Sequence, residues 1–169
     1  MTFLEFAKER YSVRSFKDKP IETEKLSKVL ESARIAPTGH NNQPQRIKII
    51  NSSEDLAKID QCTRARFGAQ TVLLVCYDKE VSWKRKKFDN ACSGEQDAAI
   101  VTTHMMLAAH NLGLGTCWVM FFDPAKTREL FALPENIIPM AMLPIGYPSD
   151  DCAPHELHSQ RVEIEKLLI

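Results

Sequence analysis

The chain has 169 residues, long enough to bury about two-thirds of its unfolded surface in one domain, and its 22 Lys+Arg balance 22 Asp+Glu to a formal net charge of +0. That balance argues against a sequence-independent nucleic-acid binder or a polybasic membrane anchor. The 5 cysteines are an odd count with no Cys-x-x-Cys, which offers neither a disulfide framework nor a zinc or iron–sulfur site. Met1–Glu5 carries an acid where a signal peptide needs positive charge, and no apolar run approaches a membrane span. The expectation is a single cytoplasmic domain over 1–169.

Taken in order, Thr2-Phe3-Leu4-Glu5 reads as a capping box that opens a first helix. That helix ends at Arg10-Tyr11-Ser12-Val13-Arg14, where two guanidinium groups and a hydroxyl lie within a few residues. Arg forks match phosphate oxygens, although a solvated basic turn accounts for the same residues. From Glu22 to Arg34, Leu26, Val29, Leu30 and Ala33 follow the spacing of an amphipathic helix, which Pro37 and Gly39 stop. A loop to Pro44 leads into Arg46–Ile50, which alternates like a half-buried strand, and Ser52-Ser53 caps a short helix.

Thr71–Tyr77 is a nearly continuous β-branched and apolar run, the pattern of a strand covered on both faces. Asp78–Asp89 is charge-rich, with Lys84-Arg85-Lys86-Lys87 inside it, and reads as a solvated loop. Ser93-Gly94-Glu95-Gln96 has the form of a second capping box before a helix that ends at Gly113. The apolar residues of that helix do not keep to one stripe, so it needs cover all round, from a second subunit or from a monomer's own interior. Thr116–Met120 and Ile138–Ile145 read as strands, and Asp123-Pro124 as a cap with Pro at the first helical position.

No Gly-x-Gly-x-x-Gly follows a strand, which speaks against a nicotinamide-binding Rossmann unit, and there is no Walker A sequence. The histidines have no metal spacing, and no Gly-x-Ser-x-Gly elbow is present. A chain with so few catalytic side chains suits a cofactor that carries the chemistry itself.

Three ordered motifs point the same way: Arg10-Tyr11-Ser12-Val13-Arg14, Pro37-Thr38-Gly39-His40-Asn41-Asn42-Gln43-Pro44, and Gly113-Leu114-Gly115-Thr116-Cys117-Trp118. Together they resemble the FMN-dependent nitroreductase family, and the similarity runs from Phe3 to near Leu168. The resemblance implies an α+β three-layer fold, with a mostly antiparallel sheet flanked by helices, in an intertwined homodimer with FMN at the interface. It implies that Arg10 and Ser12 hold the FMN phosphate, with Tyr11 beside them through its backbone. Arg14 would lie at the flavin N1 and C2 carbonyl, where a cation stabilises the reduced anion.

By the same resemblance, Pro37, Thr38, Gly39 and Asn41 reach the flavin of the neighbouring subunit, and His40 lies on the substrate side. Cys117, Trp118, Val119 and Met120 match the segment that backs the ring, although plain core packing also accounts for Trp118. Arg161 matches a basic tail residue that reaches the phosphate. Two departures stand out: Met120-Phe121 where the family often has Gly, and Val162-Glu163 in place of Lys-Pro. The implied activity is reduction of nitroaromatics, quinones or similar small acceptors, with NADH or NADPH as donor, by ping-pong hydride transfer through flavin N5. Reductive dehalogenation, flavin breakdown and a non-catalytic FMN carrier or sensor are the alternatives.

Overall fold

The structure is a computed structural model, and it describes residues 1–169. Its centre is a four-stranded antiparallel sheet in the order β1-β2-β4-β3, made by β1 (Gln45–Ile50), β2 (Thr71–Asp78), β3 (Gly115–Thr116) and β4 (Ile137–Gly146). β2 is buried along nearly its whole length, because alternate side chains serve two cores. Leu73 and Val75 face α2 (Thr23–Ile35) and α4 (Gly94–Asn111), through Val29, Ala33, Val101 and Met105. Val72, Leu74 and Cys76 face the other side, against Leu56 and Ile59 of α3 (Ser53–Cys62) and Leu130 of α5 (Pro124–Leu130). The three-layer α+β arrangement expected from the family resemblance is the one observed.

Local signals account for most element ends. Thr2 and Glu5 close the expected capping box on α1 (Phe3–Glu9), and Ser52 and Asp123 accept helix N–H groups at α3 and α5. α4 ends at Gly113, whose φ of 74° is left-handed; the Gly113 N–H reaches the His110 carbonyl and the Leu114 N–H the Ala109 carbonyl, which is a Schellman cap.

Two expectations need correction. The Ser93 hydroxyl does not cap α4: Ser93 has helical torsions and donates instead to Asp97 Oδ2 at 2.7 Å. The strand expected over Thr116–Met120 is ordered as β3 only at Gly115–Thr116. The next residue meets Pro144, which has a carbonyl to accept the Cys117 N–H at 3.2 Å but no N–H to return, so the ladder breaks and resumes only at a Val119–Met142 bridge. The apolar residues of α4 lie all round it, as expected: Ala98, Val101, Met105, Met106 and Ala109 are buried within the chain, while Ala99, Ile100 and Leu107 lie outside that buried face. Within one chain the opposite face, with Ile100 38% exposed, stays open.

Candidate functional site

The segment after α1 is set by its pairing with β3. Val13 N–H donates to the Thr116 carbonyl at 2.9 Å, and Ser12 bridges Thr116 in parallel. The approach is close enough to require glycine at 115, where a Cβ would lie 2.4 Å from Val13 Cγ2. Val13 is buried, and its neighbours Ser12 and Arg14 point toward an open cavity on the other side of the strand.

That cavity, of about 600 Å³, is lined by Arg10, Tyr11, Ser12, Arg14, His155, Leu157, His158 and Arg161. It holds three arginines and two histidines and no acid. Arg14 and Arg161 are bonded only to backbone carbonyls, of Ser12 and Gln160. Arg10 Nη1 is buried with no hydrogen-bond partner at all. Burial, and after it the charge of Arg161, lowers the Arg10 pKa. A buried guanidinium donor without an acceptor is costly, and cations crowded without a counter-charge repel, so the cavity is built for a multivalent anion. Phosphate fits this donor set.

The tail that completes the cavity is tied down. Tyr11 donates its hydroxyl to the Cys152 carbonyl at 3.0 Å, and the His158 ring meets Tyr11 edge-on while its Nε2 donates to the Lys8 carbonyl at 2.9 Å. With its hydroxyl so committed, Tyr11 has its backbone left for a ligand. His155 carried no signal in the sequence. It is a lone histidine some 140 positions from Arg10, and only the fold of the tail joins them.

Behind the arginines lies Cys117, buried; burial pushes its thiol pKa up while Arg14, a hydrogen bond from Ser12 and Arg10 pull it the other way. Trp118 packs against the larger core, as plain core packing predicts, yet its indole Nε1 is buried without a partner. Val119 is buried, whereas Met120 and Phe121 are 63% and 72% exposed and fill no pocket within the chain.

The Pro37–Pro44 loop does not join this cavity within one chain. Thr38 Oγ1 accepts the Gln43 N–H at 3.1 Å, and Gly39 N–H donates to the buried carboxylate of Asp97 at 2.7 Å. Pro37, His40 and Asn41 are exposed, and His40, Asn41 and Gln43 all adopt left-handed torsions, with φ of 54°, 55° and 52°. Non-glycine residues held there store strain, which is common where a loop presents its backbone to a ligand. His40 lines a second cavity with Asn42 and the β2–α4 loop. Asp97, the anchor of this arrangement, was not legible as a site residue, since a helical Asp four positions after Ser reads as ordinary surface charge. No His, Cys, Asp and Glu cluster is arranged to hold a metal ion, and no helix is long and apolar enough to cross a membrane.

An α+β sheet protein with an acid-free arginine cavity beside the strand edge defines a class that binds a phosphorylated ligand. The family model described as the nitroreductase family matches residues 7–67 and 62–147, and the chain belongs to that family. A Methanothermobacter thermautotrophicus protein named for NADH dehydrogenase and NAD(P)H nitroreductase activity is 30% identical over 98% of this chain and 88% of its own. A nitroreductase family protein of Clostridium difficile 630 is 43% identical and superposes with a TM-score of 0.93, over 100% of this chain and 98% of that one. A Desulfovibrio desulfuricans nitroreductase solved in complex with FMN is 28% identical, with a TM-score of 0.83 over 98% of this chain and 94% of that one.

Proposed function

We propose that the protein is an FMN-dependent NAD(P)H oxidoreductase that reduces nitroaromatics, quinones or similar electron-poor small molecules, with residues 1–169 acting as one FMN-binding unit. The observation that carries this is the orphaned Arg10 Nη1 in a cavity of cations without an acid. The family and the FMN-bound relative support FMN as the phosphorylated group.

FMN held there would supply the redox chemistry, hydride transfer between NAD(P)H and the acceptor. Arg10, Ser12 and Arg161 would hold its phosphate, with the Tyr11 backbone beside them. Arg14 would stand at the edge of the ring where negative charge develops, a placement worth about 3–4 kcal/mol by precedent for fixed donors at a developing anion. Cys117, Trp118, Val119 and Met120 would back the ring, and the unpartnered Trp118 Nε1 is a donor free for it. His40 would approach the acceptor side.

The reading includes a homodimer. The open face of α4 around Ile100, and the exposed Phe3, Leu4, Leu167 and Leu168 at the two ends of the chain, give apolar surface for a second copy to cover. The Pro37–Pro44 loop, lining no part of its own chain's arginine cavity, is then free to serve the partner's site. The test is to load the purified protein with FMN, exclude oxygen and add NADH or NADPH. Bleaching of the flavin followed by reoxidation with a nitroaromatic or quinone is expected, with ping-pong kinetics. A loaded protein that neither nucleotide reduces contradicts the oxidoreductase reading.

A further inference from the structure

The loop joining β2 to α4 carries Lys84-Arg85-Lys86-Lys87, and the arginine cavity uses none of it. This loop, with His40 and Asn42 opposite, encloses a separate cavity of about 630 Å³. Its two walls are fixed to each other. Asn42 Nδ2 donates to the Val81 carbonyl at 2.9 Å, Asp97 holds Gly39, and a Cβ on Gly39 would lie 3.2 Å from Trp83 Cβ. The loop itself is closed by a bridge between Lys84 and Cys92.

The charges on this cavity are unequal in what they have left to offer. Arg85 is engaged by Asp89 in a two-point pair, with Nε to Oδ1 at 2.7 Å. Lys84, Lys86 and Lys87 have no carboxylate partner, and Glu80 is the single acid in the lining. Between them stand two aromatic rings open to solvent, Trp83 at 39% and Phe88 at 85% exposure. An exposed Phe flanked by unpaired lysines pays a hydration cost that an inorganic anion would not relieve, and an uncharged acceptor would leave the lysines unused. A planar ring carrying phosphate satisfies both. The volume falls within the roughly 300–1,000 Å³ of small-molecule sites.

We propose that this cavity binds the adenosine end of NADPH, with Lys84, Lys86 and Lys87 taking the 2′-phosphate and Trp83 and Phe88 flanking the adenine, so that NADPH is preferred to NADH. The proposal rests on the reading of the protein as a nicotinamide-dependent reductase and adds to it the choice of donor. His40 places the cavity beside the loop already assigned to the acceptor side, where a nicotinamide must also arrive.

Calorimetric titration of the FMN-loaded protein with adenosine 2′,5′-bisphosphate and with AMP is the test. The bisphosphate should bind about tenfold or more tighter than AMP, as expected for an added charge-assisted phosphate contact. The triple variant K84Q/K86Q/K87Q should keep its FMN and its thermal midpoint but lose that difference, and its ratio of kcat/KM for NADPH over NADH should fall by about tenfold. Phe88→Ser should weaken both adenosine ligands. Equal binding of the two ligands, or a triple variant with the parental NADPH-to-NADH ratio, overturns the proposal. If neither nucleotide reduces the flavin while the bisphosphate still binds selectively, the reductase reading fails and the adenosine cavity stands. If both nucleotides reduce it equally and the bisphosphate does not bind, the cavity assignment fails and the reductase stands.

Discussion

Asp97 Oδ1 accepts the Gly39 N–H at 2.7 Å, so that a carboxylate only 2% exposed ties the Pro37–Pro44 loop to the first turn of α4. Its other oxygen takes the Ser93 hydroxyl. The left-handed run at His40, Asn41 and Gln43 is held in place at this point. Asp97→Ala leaves the Gly39 N–H and the Ser93 hydroxyl without their acceptor, which should cost about 1–3 kcal/mol in urea unfolding. Asp97→Asn keeps one acceptor and should cost less. Equal stability of Asp97→Ala and the parent would mean that the loop does not depend on this contact.

Gly115 and Gly113 separate packing from backbone conformation. At Gly115 a Cβ would meet Val13 Cγ2 at 2.4 Å, so Gly115→Ala must push away the segment that carries Arg10, Ser12 and Arg14. A stability loss of about 1–3 kcal/mol is expected from the overpacking, together with weaker FMN binding. At Gly113 nothing lies within 4 Å, but φ is 74°. Gly113→Ala should cost about 1 kcal/mol or more through its backbone while leaving FMN affinity close to parental. Flavin titration of the two variants checks the contrast, and equal FMN affinities would show that the Val13 contact does not position the cavity.

The sheet and helices were legible because periodicity and caps are local: the nearly continuous β-branched and apolar run Thr71–Tyr77 has the pattern of a strand between two layers, and it is one. The failures lie where a partner residue decides. Ser93 has the sequence of a capping box, but an acid one turn further on takes its hydroxyl. Cys117–Met120 has strand propensity, but Pro144 opposite Cys117 cannot donate, and no local pattern contains that fact. The arginine cavity was half visible. Arg10, Ser12 and Arg14 are adjacent in sequence, and Arg161 entered through the family pattern, whereas His155 and Asp97 have neither adjacency nor motif to mark them.

Two thiols should be inert. Burial pushes the Cys76 pKa up to about 12, and burial also raises that of Cys117 despite Arg14 nearby, so at neutral pH neither forms the reactive thiolate. Iodoacetamide on the native protein, followed by peptide mass spectrometry, should label the half-buried Cys92 and Cys152 first. Labelling of Cys117 as fast as Cys92 would show that the backing segment is open.

Dimerisation is tested on the open face of α4. Ile100 is 38% exposed there, and Ile100→Glu places a charge where a second copy should pack. Light scattering should give a dimer for the parent and a shift toward monomer for the variant, with loss of FMN in parallel. A monomeric parent that retains FMN on dilution contradicts the shared site.

Comparing Arg10→Ala with Arg14→Ala tests whether the Arg10 cavity holds the phosphate of FMN while Arg14 tunes its reduction. FMN affinity and anaerobic reduction by NADPH or NADH are measured on both. Arg10→Ala should lose FMN affinity, because the buried guanidinium would be a main donor to the phosphate. Arg14→Ala should keep FMN and be reduced about a hundredfold more slowly, on the precedent of donors aimed at developing negative charge. A parent that binds no FMN, or an Arg10→Ala variant that binds it as tightly as the parent, would show that the Arg10 cavity is not the phosphate site.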